Sequence, residues 1–124
     1  MIINLTQHQA TAEQVTAGVV DLPAAERAKL CALLTFDTLP TREQIEDAAS
    51  EIALLADGFL PEDGEHSAMI GGAPWLMSSI ENALRDHRIT PIYAFSVRES
   101  AEQVQPDGSV RKVNIFRHAG FVAV

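Results

Sequence analysis

The chain has 124 residues, of which 47% are hydrophobic and 21% are charged. This length and composition predict a single globular domain, residues 1–124, and exclude a disordered or fibrous protein. The longest apolar runs fall far short of the roughly 20 residues that span a bilayer, and the first residues lack the basic end and apolar stretch of a signal peptide. We therefore expect a cytoplasmic protein with no membrane partner.

The formal net charge of −8 is unevenly distributed along the chain. Residues 1–84 hold three basic and thirteen acidic side chains, whereas residues 85–124 hold six basic and four acidic ones. Binding to duplex nucleic acid rests on many contacts between basic side chains and phosphates, so it is not expected here. The last third of the chain is the part that tolerates an anion, and a small phosphorylated ligand suits it better than a polymer. The alternative is that its basic side chains are solvated surface charge.

The first third of the chain alternates short apolar runs with signals for helix starts. Thr11 and Gln14 have the spacing of a capping box, in which each side chain bonds a free backbone donor of the first turn. The expected elements are a strand at 2–5, a helix from 11 to 18, a strand at 19–22 and a helix from 23 to about 34. The apolar run 33–36 could instead form a strand, and the pattern leaves that boundary open.

The middle of the chain predicts one long amphipathic helix. It begins at Pro40 or Thr41, where Thr41 and Gln44 form a second capping box, and Asp57-Gly58 ends it. Its apolar residues recur at helical spacing: Ile45, Ala48, Ala49, Ile52, Leu55 and Ala56. A surface loop over 58–65 and a strand over 66–70 are expected to follow.

The last third predicts a helix and two strands. The apolar spacing and Pro74 in the first turn favour a helix over 73–87. The runs 91–97 and 110–116 predict strands, and Asp107-Gly108 predicts a turn between them. The connection is too short for a helical crossover, so these strands should pair antiparallel. The expected fold class is therefore α/β, a mostly parallel sheet flanked by helices that ends in an antiparallel hairpin.

Polar residues follow three of the predicted strands. In an open α/β sheet, ligands bind beyond the carboxyl ends of the parallel strands, where helix N-termini offer free backbone N–H groups. The residues at these ends are expected to converge in space: Thr6, Gln7, His8, Gly71, Gly72, Ala73, Arg98, Glu99 and Ser100. Gly71-Gly72 would let backbone approach a phosphate, although an ordinary turn between strand and helix explains the pair as well.

Histidine is the side chain most easily poised for proton transfer near neutral pH. His8 lies at a predicted strand end and His118 follows Arg117, so these two are the candidates, whereas His66 and His87 are expected to be structural or solvated. No His and carboxylate groups have the spacing of metal ligands, so no metal is expected. Cys31 has no activating neighbour and Ser78-Ser79 lie inside a helix, which disfavours cysteine and serine hydrolases.

Two stretches of the chain carry a family resemblance. At the front, LTQHQATAEQ and GVVDLP have a strand, a polar residue, His, a Thr-x-x-Gln helix start and a strand ending in Leu-Pro. At the back are ITPIYAFSVRESAEQ, DGSVRKV and IFRHAGFV. Together they resemble short accessory CRISPR-associated proteins that consist of little more than a minimal CARF domain, the Rossmann-like fold that senses cyclic oligoadenylate. The resemblance covers about half the chain, and residues 28–65 depart from it because they hold an additional long helix.

The resemblance implies a homodimer whose subunits together hold a ring-shaped nucleotide, as a regulator in CRISPR antiviral defence. In some members the ring is also cleaved without a metal, so a ring nuclease needing no cofactor is one expectation and a pure sensor is the other. By matching position, the ligand-binding candidates are Thr6, Gln7, Gly71, Gly72, Ser96 and Ser100. Arg98 would clamp a phosphate, and His8 or His118 would carry a proton.

A competing hypothesis requires no nucleotide. The chain could be a small, non-enzymatic interaction module encoded by a mobile element, with Trp75, Leu76 and Met77 at the partner interface. The same apolar residues could equally belong to the core, and Trp75 and Met77 could also stack on a base.

Overall fold

The computed structural model describes residues 1–124 and consists of one sheet with flanking helices. In chain order the elements are β1 (Ile2–Asn4), α1 (Ala12–Thr16), β2 (Val19–Asp21), α2 (Ala24–Leu34), α3 (Arg42–Phe59), β3 (His66–Met69), α4 (Pro74–Asp86), β4 (Ile89–Val104) and β5 (Val110–Ala123). The strand order is β2-β1-β3-β4-β5, with β1 to β4 parallel and β5 antiparallel to β4. The expected Rossmann-like α/β fold is confirmed.

The main core lies on one face of the sheet, beneath α2, α3 and α4. Ile3 of β1 and Ala68 of β3 are fully buried there, in one cluster with residues of all three helices. Three alanines of α3 have no exposed surface: Ala49, Ala53 and Ala56. Such small side chains let helices and sheet approach closely, so burial of the predicted apolar stripe is what holds α3 in place.

Both boundaries of the middle region differ from expectation. The alternative strand over 33–36 is wrong, because α2 continues to Leu34 and the Thr35 N–H still bonds the Ala32 carbonyl. The end of α3 at Asp57-Gly58 is also wrong, because the helix runs on to Phe59. Leu60 is buried in the core and its N–H bonds the Ala56 carbonyl, so tertiary packing carries the helix past a glycine that costs only about 1 kcal/mol.

The other face of the sheet has a thin cover. A small cluster of Val19, Met69 and Ile92 lies there, with Ala10 and Phe121 packed against it. The nearest helix, α1, has five residues and buries none of them. This face is therefore covered mainly by the chain between β1 and α1, which makes the shape of that segment important.

The hairpin at the end of the sheet is much longer than the predicted strands 91–97 and 110–116. β3 pairs with β4 only as far as Ile92, whereas β4 and β5 stay paired out to Val104 and Val110. Residues 93–104 and 110–122, with the turn 105–109, therefore project as a two-stranded ribbon about 40 Å long, which we call the arm. The predicted turn is confirmed, since Asp107 accepts hydrogen bonds from the backbone N–H and hydroxyl of Ser109 at 2.9 and 2.6 Å.

One irregularity interrupts the arm close to its base. Phe95 pairs with Gly120 but Ser96 pairs with His118, so Ala119 is an extra residue in β5. Gly120 has φ +149°, in the region that favours glycine. This β-bulge bends the arm and increases its twist.

No helix of the chain combines the length and apolar character that crossing a bilayer requires.

Candidate functional site

A cavity of about 600 Å³ opens at the carboxyl end of the parallel strands, between β1 and β3. The chain passes from β1 to its neighbour β2 on one side of the sheet, and from β3 to its neighbour β4 on the other side. The strand order therefore changes direction between β1 and β3, which is the switch point of the sheet. The loops that leave neighbouring strands in opposite directions open a crevice at this point, where α/β proteins bind ligands. Its lining residues are Thr6, Gln7, His8, Gln9, Thr11, Gln14, Met69, Ile70, Gly71, Gly72, Tyr93 and Ala94.

The first wall is shaped by Asn4, a buried polar residue at the end of β1 with 3% exposure. Its amide nitrogen donates to the His8 carbonyl at 2.7 Å and to Asp21 Oδ1 at 2.8 Å. Its amide oxygen accepts from the Thr6 backbone N–H at 2.9 Å. Because a buried amide must be hydrogen-bonded, the chain from 5 to 10 is held in one conformation.

Asp21, at the end of β2, fixes the far end of the same segment. Its Oδ1 also accepts from the Ala10 N–H at 3.1 Å, and its Oδ2 lies 3.7 Å from the Arg27 guanidinium. Ala10 directly precedes Thr11, where α1 begins. The hydrogen bonds of Asn4 and Asp21 thus place the start of α1 at the rim of the cavity.

The two residues of the first capping box both line the cavity. Thr11 Oγ1 accepts from the Gln14 N–H at 3.2 Å, and the Gln14 side chain accepts from the Thr11 N–H at 3.0 Å. The prediction of a helix start here is confirmed, but its position in the cavity was not predicted. Sequence pattern assigned these side chains a capping role only, and the loop after β1 brings them to the strand end.

The second wall is the Gly71-Gly72 turn between β3 and α4. Gly72 has φ +145°, which a residue with a Cβ adopts only under strain, and a Cβ on Gly71 would lie 3.6 Å from Thr6 Cγ2. α4 begins at Pro74 with no side chain bonded to its first turn. Pro74 has no N–H and the Leu76 N–H bonds the Ala73 carbonyl, so what this helix start offers an anion is chiefly the partial positive charge of its end.

Tyr93 lies where β4 passes the cavity. Its hydroxyl donates to Glu81 Oε2 at 2.6 Å, and Glu81 Oε1 lies 3.6 Å from the Arg85 guanidinium. Burial first, and then the bond to the Glu81 carboxylate, raise the pKa of Tyr93 to about 12. The phenol is therefore neutral at physiological pH, and its proton lies in the hydrogen bond to Glu81.

The structure brings together five of the predicted site residues and separates the other four. Thr6, Gln7, His8, Gly71 and Gly72 line the cavity. The expected convergence fails for the rest, because β4 does not end where the sheet ends. The residues that lie in the arm instead are Ser96, Arg98, Ser100 and His118.

Arg98 lies about 13 Å along β4 from Ala94, the last cavity residue of that strand. Its guanidinium is 5.5 Å from the centre of the Phe116 ring, in a cation–π arrangement. Ser96 and Ser100 lie two residues before and two residues after Arg98 in β4, so the three side chains are on the same face of the arm. This face is a continuation of the sheet face that carries Met69 and Ala94 beside the cavity.

His118 lies opposite Ser96, at the base of the arm. Its backbone N–H donates to Glu13 of α1 at 3.1 Å, and its ring packs on Phe121 at 4.8 Å. Its Nδ1 is buried without a hydrogen-bond partner. The residue thus links β5 to the helix at the rim of the cavity without lining the cavity.

The remaining histidines make structural contacts, as expected. His66 Nε2 lies 2.8 Å from the Pro61 carbonyl and holds the acidic loop, and His87 Nδ1 lies 3.3 Å from Asp57. Cys31 is half-buried in α2. No group of three His, Cys, Asp or Glu side chains is close enough to hold a metal ion.

The structure corrects the interface that the competing hypothesis required. Leu76 is fully buried and Met77 is 7% exposed, so both belong to the core. Trp75 remains half-exposed, with its ring edge-to-face on Phe36 at 5.2 Å. A single aromatic side chain is left where three apolar residues were expected.

No side chain that is charged at all ordinary pH values lines the cavity. Its polar side chains are hydroxyls, amides, one imidazole and one phenol, and no Asp, Glu, Lys or Arg is among them. Amides offer donors and acceptors side by side, which suits the edge of a nucleobase, whereas the backbone of Gly72 and α4 suits an anion.

A family model described as "Uncharacterized protein MJ1673 family" matches residues 1–122, which is nearly the whole chain. No curated protein and no solved structure gives a significant match.

We predict that Asn4→Ala lowers the free energy of unfolding by about 1–3 kcal/mol, because it removes the acceptor of the partly buried Thr6 N–H and the donor to Asp21 and to the His8 carbonyl. Urea denaturation measures the change. Gln9→Ala is the matched control on the same segment: Gln9 is exposed, and we expect a change within about 0.5 kcal/mol. Equal effects of the two changes would contradict the role given to Asn4.

We also predict that the phenol of Tyr93 ionises near pH 12 instead of pH 10. The folded state favours the neutral phenol, so the stability it contributes is complete below pH 10 and is lost as the pH rises from 10 to 12. Absorbance titration reads this directly because Tyr93 is the only tyrosine. Glu81→Gln should lower the pKa part of the way, and ionisation at pH 10 in a chain still folded by circular dichroism would overturn the assignment.

Proposed function

We propose that this chain, which belongs to the Uncharacterized protein MJ1673 family, binds a cyclic oligoadenylate in the cavity between β1 and β3. The observation that carries the proposal is that five positions assigned by resemblance to minimal CARF domains line one cavity. They come from two loops separated by about 60 residues of chain: Thr6, Gln7, His8, Gly71 and Gly72. In this role the chain is a regulator in CRISPR antiviral signalling.

The chemistry of the cavity supports an adenylate ligand. Gln7, Gln9 and Gln14 supply amide groups that can pair with both the donor and the acceptor on an adenine edge. The Gly71-Gly72 backbone supplies N–H groups for a phosphate, and the partial positive charge at the start of α4 favours one. The cavity has no Lys or Arg side chain, so it recognises the base and the ribose. Most phosphates of the cyclic ligand must then be bound by basic groups outside the cavity.

The basic side chain assigned to a phosphate lies outside the cavity. Arg98 sits in the arm, on the face that continues from the cavity floor, and a ring of several nucleotides is wider than one mononucleotide site. A ring held between two subunits would contact both cavities, which is why a homodimer belongs to this proposal. Arg98 would then meet a phosphate at the edge of the ring.

A second, separable proposal is that the bound ring is cleaved without a metal. The ribose 2′-hydroxyl attacks the adjacent phosphorus and the 5′-oxygen leaves, giving a linear product with a 2′,3′-cyclic phosphate and a 5′-hydroxyl. His8, at the cavity, accepts the proton of the 2′-hydroxyl, and the leaving oxygen takes a proton from water, because His118 does not reach the cavity. Backbone N–H groups of the Gly71-Gly72 turn stabilise the charge that develops on the phosphoryl oxygens.

Thermal unfolding with cyclic tri-, tetra- and hexa-adenylate tests binding first. A ligand that binds only the folded chain raises its stability by about 2.7 kcal/mol at a hundredfold excess over Kd, so one ring size should raise Tm clearly. Gln7→Ala, at the cavity, should reduce this shift, whereas Gln103→Ala, far out on the arm, should leave it unchanged. The absence of a shift for every ring would reject the ligand class.

A cleavage assay with excess protein and a metal chelator separates an enzyme from a sensor. If the ring is cleaved, linear product with a 2′,3′-cyclic phosphate accumulates despite the chelator, and His8→Ala slows its formation by about 10²–10⁴-fold. His87→Ala is the control, because His87 faces Asp57 away from the cavity and should leave the rate unchanged. Stable binding without linear product would reject the cleavage proposal, and the chain would then be a sensor that only binds the ring.

A further inference from the structure

The chain exposes more surface than a compact protein of its size. Its accessible surface is 8031 Å², whereas a compact monomer of 13.4 kDa exposes about 6,500 Å². The surplus of about 1,500 Å² belongs to a part of the chain that packs on nothing. That part is the arm, where nearly every residue from Ala94 to Val104 is exposed.

A two-stranded ribbon is marginally stable in water unless another surface covers it. The arm has local supports: Arg117 Nε donates to Glu99 at 2.6 Å, and the Asp107 turn closes its tip. These are exposed polar contacts, which stabilise by no more than about 1 kcal/mol each. The length of the arm therefore calls for a further packing partner.

The two faces of the arm differ in chemistry. Residues directly opposite each other in β4 and β5 share a face, so the pairing register assigns every side chain to one of the two. One face, which we call the apolar face, carries a row of apolar side chains: Phe95, Val97, Ala101, Val113 and Ile115. The ion pair of Glu99 and Arg117 borders this row on the same face, and Gln103 and Arg111 follow it toward the tip. Phe95 is 54% exposed and Val97 is 45% exposed, although both belong to the residue types that most often pack inside proteins.

The opposite face is polar along most of its length. It carries Ser96, Arg98, Ser100, Asn114 and His118. Phe116 is on this face too, and its ring lies against the Arg98 guanidinium. Its remaining large apolar residues, Val104 and Val110, form a separate pair at the tip. An exposed row of apolar side chains bordered by charged ones is typical of a surface that packs against protein.

We propose that the apolar face of the arm packs against a second copy of this chain. The area fits, because a stable interface buries about 800 Å² per partner and the surplus surface exceeds that value. The charge also fits: residues 93–124 hold four basic and three acidic side chains, whereas residues 1–92 hold five basic and fourteen acidic ones. An arm of one copy is thus attracted to the acidic body of the other, and a two-fold axis lets both arms be covered at once.

Sedimentation equilibrium without nucleotide, over a wide range of protein concentrations, tests the proposal. The chain should be dimeric, and Val97→Thr with Ile115→Thr should raise the dimer dissociation constant at least about tenfold, because the two-fold axis places both changes in the interface twice. Val104→Thr with Val110→Thr is the matched control: it makes a similar change in the same ribbon on the opposite face and should alter the constant by less than about twofold. Threonine keeps the β-branched shape that strands favour, so both variants retain the ribbon.

Hydrogen exchange on the unaltered chain gives a second readout that needs no variant. Protection of the arm amides should rise with protein concentration, whereas protection of β1 and β3 should not. A chain that is monomeric throughout, or a dimer weakened equally by both variants or by neither, would overturn the proposal. A dimer that responds only to the apolar-face variant supports it, and does so whether or not cyclic oligoadenylates bind.

Discussion

One buried amide determines the shape of the candidate site. Asn4 lies at the end of the central strand β1, where the chain must turn away from the sheet, and its burial requires that every donor and acceptor of the amide be satisfied. Three of the partners lie in the next four residues or on β2, so the only conformation that satisfies them folds the loop over the sheet and delivers α1 to its place. The thinly covered face of the sheet, the rim of the cavity and the positions of Thr6 and His8 all follow from this requirement.

The candidate site separates two kinds of recognition. Neutral amides and hydroxyls lie in the cavity, while the basic side chains of the last third lie on the arm or on the surface. Placing a guanidinium in the cavity would require a partner for a desolvated charge, whereas Arg98 on the exposed ribbon stays hydrated and rests against Phe116. As a result, residues 1–92 are acidic and residues 93–124 are mildly basic, and the sequence already shows this uneven distribution of charge.

The sequence predicted those features that depend on neighbouring residues. Both capping boxes start helices, because Thr11 with Gln14 and Thr41 with Gln44 bond within a single turn. The polar residues after β1 and β3 also meet as expected, because ends of adjacent parallel strands share an edge. The continuation of α3 past Gly58 was not predictable, because it depends on the burial of Leu60 in the core. The position of Arg98 was not predictable either: Glu, Ser and Gln in 99–103 have weak strand propensity, and pairing with β5 rather than local preference keeps them extended.

The extra residue in β5, Ala119, decides which chemistry each side of the ribbon displays. If Ala119 were paired as an ordinary strand residue, Ser96 would face Ala119, Val97 would face His118 and Ser100 would face Ile115, because a shift of one position in a strand moves every later side chain to the other side. Val113 and Ile115 would then be parted from Phe95 and Val97, and Phe116 would be parted from Arg98. The length of β5 between the bulge and the tip is therefore constrained more tightly than its composition. Loss of Ala119 itself would leave every pair in register, whereas one residue added between the bulge and the tip would move apolar side chains to the polar side and polar ones to the apolar side. Most single substitutions would leave the two sides as they are.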